Sequence, residues 1–234
     1  MNALATLAAE VSACRRCPRL VEWREKVART KRAAYATEEY WGRPVPGFGD
    51  PAAWLLVVGL APGAHGSNRT GRMFTGDASG NLLYGALHRA GLASQPDSTS
   101  RGDGLTLNGV WITAAVRCAP PGNRPTPAER DTCRPFLERE WALLPDLRLV
   151  VALGAFAFSV VLRLLRDRGE PVPRPVPRFG HAVEVPIRPG LTVLASYHPS
   201  QQNTFTGRLT EQMFDAVWSR ARALGRPGDP LRPR

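Results

Sequence analysis

Residues 54–59 (WLLVVG) are apolar at every position, and no other feature of the chain constrains its fold as much. A strand with one wet face alternates apolar and polar residues. A run without alternation that ends at turn residues (Gly59, Pro62, Gly63) is therefore a strand covered on both faces, as in a parallel sheet with helices on either side. Residues 110–116 and 147–153 (LRLVVAL) read the same way, 192–196 reads as a last short strand, and 181–187 alternates like an edge strand. Helical spacing covers 3–13, 19–33, 81–90, 154–168 and 207–224, and Thr126 is placed to cap a helix that reaches about residue 144. The predicted architecture is α/β: three α/β/α layers around a central, mainly parallel four-stranded sheet. Such sheets bind ligands at the carboxyl ends of their strands.

A chain of 234 residues is long enough for one substantial core, and no low-complexity stretch divides it. A single domain over 1–224 is expected, with the first two helices forming a flap on it and the tail GRPGDPLRPR (225–234) disordered. Residues 41–50 (WGRPVPGFGD) read as loop, and the proline-rich segment 169–180 as a surface excursion that cannot be helical. No run of about 18 apolar residues and no signal-like N-terminus occurs, so a soluble, cytoplasmic monomer away from any membrane is expected. The net charge of +11 favours a polyanion, nucleic acid before others, although a basic balance can also serve solubility alone.

Four cysteines, Cys14, Cys17, Cys118 and Cys133, form one close pair and two distant partners. In a reducing compartment such a set suits a metal or cluster better than a disulfide framework. The loop from Gly59 to Gly80 is rich in glycine and small polar residues, which lets its backbone approach a ligand closely. It matches neither a Walker loop nor a dinucleotide fingerprint. Within it Phe74 is either a ligand-facing ring or an ordinary core aromatic, and Asp77 is either a functional carboxylate or the N-cap of the next helix. His198 follows the last strand, where a lone histidine is commonly structural. Asn123, in a Gly-Pro loop, would by itself be a turn residue.

Taken together, these strings resemble the uracil-DNA glycosylase superfamily, and within it the iron-sulfur-containing family 5 (type B). The resemblance spans roughly residues 14–214. It rests on the turn at Gly59, Pro62 and Gly63 followed by Phe74 and a Gly-Asp-Ala-Ser-Gly helix start, on His198-Pro-Ser, and on C-x2-C followed by C-x14-C. It implies that Phe74 stacks on a base turned out of DNA, and that His198 donates a hydrogen bond to the uracil oxygen on which charge builds. Asn123 would read the uracil edge, and Gly63, Ala64 and His65 would line the base pocket. Leu60 and Ala61 stand where other members carry an acidic water activator; this is the family 5 pattern and leaves Asp77 as the replacement. Ser200, Gln201, Gln202 and Asn203 would meet the DNA, although the glutamines are less apolar than a base-flipping wedge. The four cysteines would hold a structural four-iron four-sulfur cluster in preference to zinc. The activity implied is hydrolysis of the N-glycosidic bond of uracil in DNA, and of other deaminated bases such as hypoxanthine and xanthine, leaving an abasic site. A narrower family 4 enzyme and a non-catalytic iron-sulfur DNA-binding module are the alternatives.

Overall fold

The computed structural model describes residues 3–225; the expected disordered tail lies almost wholly outside the described residues. Four strands form the parallel centre: β2 (Leu55–Gly59), β3 (Val110–Ala114), β4 (Leu149–Leu153) and β6 (Leu191–Ser196). Two short antiparallel edges complete a six-stranded sheet in the order β1-β3-β2-β4-β6-β5. One edge, β1 (Phe48–Gly49), lies in the stretch expected to be loop. The other, β5 (Glu184–Arg188), alternates exposed and buried residues as an edge should, and its register shifts between Pro186 and Arg188. An edge tolerates proline because the missing N–H falls on the unpaired side or at a bulge.

Every residue of β2, β3 and β4 is buried, as the uninterrupted apolar runs require. Leu55 and Val57 pack with α4 (Ala78–Arg89) and α8 (Glu211–Leu224) on one face; Leu56 and Val58 pack with α5 (Pro127–Ala142) and α6 (Ala155–Asp167) on the other. From β2 the chain crosses to β3 through α4, then passes back over β2 to β4 through α5 on the opposite face. The connections thus reverse direction between β2 and β4, which opens a crevice at the carboxyl ends of these two strands.

The N-terminal helices α1 (Ala3–Ala13) and α2 (Pro18–Thr30) fold onto this body. Leu7, Val11 and Leu20 share a small core with Val116, Cys118, Cys133 and Phe136. The helix expected over 207–224 starts later, as α8 (Glu211–Leu224), and a short helix that was not expected precedes it. Gly207, at φ +70°, ends a short α7 (Gln201–Phe205), and Thr210 caps α8 by accepting from the Met213 amide at 3.1 Å. Thr126 caps α5 as expected, within a reciprocal capping box with Glu129. In the proline-rich excursion Phe179 rests against Phe158 and Tyr197, which brings that segment to the residue preceding His198.

Candidate active site

The loop leaving β2 holds Phe74 in the left-handed region, at φ +53°. A bulky residue there is strained by about 1–3 kcal/mol and persists only where its surroundings over-determine it. The bracing is extensive. The Tyr84 hydroxyl donates to the Met73 carbonyl at 2.7 Å. Arg72 donates to Thr75 at 2.9 Å, to Ser98 at 2.7 Å and to both oxygens of Asp103 at 2.8 and 2.6 Å. Gly80 lacks a Cβ because one there would overlap the Phe74 carbonyl. Phe74 therefore belongs to the core, yet its ring also faces His198, with centroids 5.9 Å apart and planes inclined by 33°. Gly59 leaves room for that ring, since a Cβ at this position would stand 2.7 Å from the Phe74 Cζ.

His198 reaches this point at the end of β6, beside Gly154 at the end of β4. Gly154 is at φ +92°, and a Cβ on it would lie 3.3 Å from the His198 Cβ. Burial holds the His198 imidazole down to about 4, so it is neutral at physiological pH. Among the described residues no hydrogen bond engages either ring nitrogen, leaving the neutral N–H free to donate. Its backbone is fixed instead: the His198 carbonyl accepts from the Ser200 amide at 2.8 Å and from the Asn203 Nδ2 at 2.9 Å.

Asp77 is the N-cap of α4, and its Oδ1 accepts from the Gly80 amide at 3.0 Å. Its Oδ2 turns toward the loop backbone: a Cβ on Gly63 would lie 3.0 Å from it, and one on Gly66 would overlap it. Burial raises this carboxyl above the ordinary range, against the opposing pull of the Gly80 and Ser79 amides and of Arg69. Capping engages one oxygen and leaves the other beside the loop, so the two readings of Asp77 are compatible. The remaining loop residues are less direct. Ala64 and Gly63 accept through their carbonyls from Asn68, and the His65 ring is bonded to the Tyr40 hydroxyl at 3.1 Å.

Asn123 stands apart. It lies exposed at φ +56° in a tight turn on the loop leaving β3, and among the described residues no hydrogen bond or ring contact joins it to Phe74 or His198. It shares with them the carboxyl edge of the sheet. In the turn after His198, Ser200 caps α7 by accepting from the Asn203 amide at 3.4 Å, while Gln201 and Gln202 face solvent.

The four cysteines line one common space between the flap, the loop after β3 and α5. Cys17 is the N-cap of α2, ahead of Pro18, and Cys133 lies on α5. Burial pushes the thiols of Cys118 and Cys133 up to about 11 and about 12, so without coordination they stay protonated. Two N–H donors point at the sulfurs: Arg24 Nη1 lies 2.9 Å from Cys118 Sγ, and the Arg117 amide 3.3 Å from Cys133 Sγ. Arg24 is only 2% exposed, and its Nε has no partner among the described residues. No three potential ligands among the described residues are close enough to hold one metal ion. Four thiols around a common space, with a buried cation beside them, fit a cluster that carries each thiolate on a separate iron.

The sequence model of the family described as "Uracil DNA glycosylase superfamily" matches residues 46–222. A Type-5 uracil-DNA glycosylase from Mycobacterium tuberculosis is 57% identical over 224 residues, covering 95% of this chain and 82% of that protein. One from Thermus thermophilus is 55% identical over 214 residues, covering 92% of this chain and 94% of its own. A Type-4 uracil-DNA glycosylase from Pyrobaculum aerophilum is 36% identical over 133 residues, 56% of this chain and 60% of that protein.

Proposed function

Because the chain belongs to the uracil-DNA glycosylase superfamily, we propose that it removes uracil from DNA by hydrolysing the N-glycosidic bond, leaving an abasic site. The observation that carries this reading is the Phe74–His198 pair: a flat ring held in a strained backbone conformation faces a half-buried, neutral imidazole whose nitrogens are unengaged.

A base turned out of the duplex stacks on Phe74, and the His198 N–H donates to the uracil oxygen as the departing base gathers negative charge. One preorganised donor of this kind lowers a barrier by about 3 kcal/mol. Asp77 Oδ2 orients the attacking water and takes its proton; burial makes this carboxylate a better base than an exposed one. The Asn123 amide offers a donor and an acceptor together, which complements the O4 and N3–H edge of uracil and mismatches cytosine. Its side chain has no partner among the described residues, so pairing with the base breaks no hydrogen bond within the protein. No lysine lies in these loops to form the Schiff base of a lyase, so the product is an abasic site and not a nicked strand.

Cys14, Cys17, Cys118 and Cys133 would hold a four-iron four-sulfur cluster, which would supply a structural tie and no redox step. Through Cys118 and Cys133 that tie runs to both ends of the loop bearing Asn123. The small Leu60, Ala61, Gly63 and Ala64 walls favour hypoxanthine and xanthine as further substrates, and the protein acts as a soluble cytoplasmic monomer.

The test is a panel of duplexes carrying uracil, hypoxanthine or xanthine, treated with alkali after incubation. Strand breaks at uracil are expected, and their absence refutes the proposal. Breaks at uracil alone limit it to the narrower, family 4-like specificity. Iron and acid-labile sulfide in equal amounts are expected in the purified protein; stoichiometric zinc would overturn the cluster.

A further inference from the structure

Among the described residues only two large apolar side chains are exposed: Val176 at 50% and Phe205 at 82%. Isolated apolar residues on a surface are common and by themselves signify little. What distinguishes Phe205 is the element that carries it. It is the last residue of α7, and α7 is built onto the backbone of His198. The Asn203 side chain donates to the His198 carbonyl at 2.9 Å, Ser200 caps the helix, and the Leu209 amide donates to the Asn203 carbonyl at 3.0 Å, with Leu209 itself buried. Thr206 closes the other end, its hydroxyl donating to the Gln202 carbonyl at 2.7 Å. Phe205 is thus held outward on a braced turn at a fixed place relative to His198.

The polar residues of the same turn are poorly suited to press into a base stack. Ser200 and Asn203 are engaged within the turn, and Gln201 and Gln202 present amides with no flat apolar face. The charge around Phe205 selects the occupant. Residues 196–210 contain no acidic residue, and the Arg208 guanidinium lies 4.7 Å from the Tyr197 ring with no carboxylate partner among the described residues. A projecting aromatic with a guanidinium free of any carboxylate three residues on complements a phosphate backbone enclosing stacked bases.

We propose that Phe205 enters the DNA stack beside the extruded nucleotide and fills the space the base leaves, with Arg208 on the adjacent phosphate. This rests on the glycosylase reading above. It makes Phe205, and not Gln201 or Gln202, the apolar contact of the turn, and it makes that contact specific to double-stranded substrate, because a single strand has no continuous stack to fill.

The experiment compares wild type, Phe205→Ala and Phe205→Trp on a uracil-containing duplex and on the same strand unpaired. A second duplex carries 2-aminopurine next to uracil and reports unstacking by its fluorescence. Loss of one base–aromatic stack predicts that Phe205→Ala lowers kcat/KM on duplex roughly fivefold to a hundredfold and abolishes the fluorescence rise, while Phe205→Trp restores both. Activity on the unpaired strand should stay within about twofold. Equal loss on both substrates, unchanged duplex activity with an unchanged fluorescence rise, or a dimer in gel filtration that Phe205→Ala dissolves would each overturn the proposal. Wild type inactive on uracil in either form would instead refute the glycosylase reading itself, so the two failures are distinguishable.

Discussion

Replacing Asp77 by Asn separates its two roles. The Asp77 Oδ1 accepts from the Gly80 amide at 3.0 Å, and an asparagine oxygen can do the same; Asn and Asp are equivalent N-caps. Burial already disfavours the charged carboxylate, so the neutral amide costs the fold little. Asp77→Asn should therefore melt within about 2 °C of wild type, whereas Asp77→Ala loses a cap of about 1 kcal/mol and melts roughly 2–4 °C lower. Excision should not follow this order. If Oδ2 activates water, both variants lose about 10²–10⁴ in single-turnover rate, the contribution of a positioned general base. The pH profile adds a further check. The base is active when ionised, so wild-type excision rises with pH through a limb above the ordinary aspartate range, and Asp77→Asn lacks that limb. An Asp77→Asn rate within threefold of wild type, with the acid limb intact, would leave Asp77 as a helix cap only.

His198→Ala should lower single-turnover excision by about a hundredfold or more at saturating enzyme; a near wild-type rate would make the Phe74–His198 contact structural. The same residue predicts how stability depends on pH. Its folded-state value of about 4 lies below the ordinary histidine value near 6.5, so the unfolded chain binds the extra proton between these limits. Stability contributed by the neutral ring is complete above about 6.5 and is lost as pH falls toward 4, by on the order of 3 kcal/mol. Urea unfolding at pH 7 and pH 4.5 should show a smaller difference in His198→Ala than in wild type, and equal differences would refute the assignment.

The central strands were legible in the sequence because burial on both faces removes every polar residue from β2 and leaves only apolar and small side chains along β3 and β4. The outer strands were less so. β1 is two residues long in a Gly-Pro stretch, and it pairs with Trp111 and Ile112 from another part of the chain, which no local pattern records. The ends of α4 and α8 were misread for a related reason. Ala78, Ser79 and Gly80 are too small to show an apolar stripe, yet Asp77 starts a helix there by capping it. Gly207 and Thr210 delay the start of the last predicted helix to Glu211, because one adopts a positive φ and the other accepts a backbone bond as the N-cap.

The site itself was legible as strings and illegible as a machine. Phe74, Asp77 and His198 could be named from the family resemblance, but the strain on Phe74 and its bracing by Tyr84, Arg72 and Asp103 depend on partners 11 and 31 residues away from Met73 and Arg72. Their types carry no signal: a buried tyrosine and a buried ion pair read in sequence as an ordinary core aromatic and two surface charges. The consequence is physical as well as interpretive. A ring on a mobile loop would take many orientations, whereas one held at φ +53° by a filled hydrogen-bond network has its plane fixed in advance, as the proposed stacking on a base requires. The left-handed Gly154, at the point where the strand connections reverse, brings His198 to the same place from the opposite side of β4. The aromatic and the imidazole are therefore set by two independent strand ends, and the rigidity that aligns them comes from Arg72, Tyr84, Asp103 and Gly154.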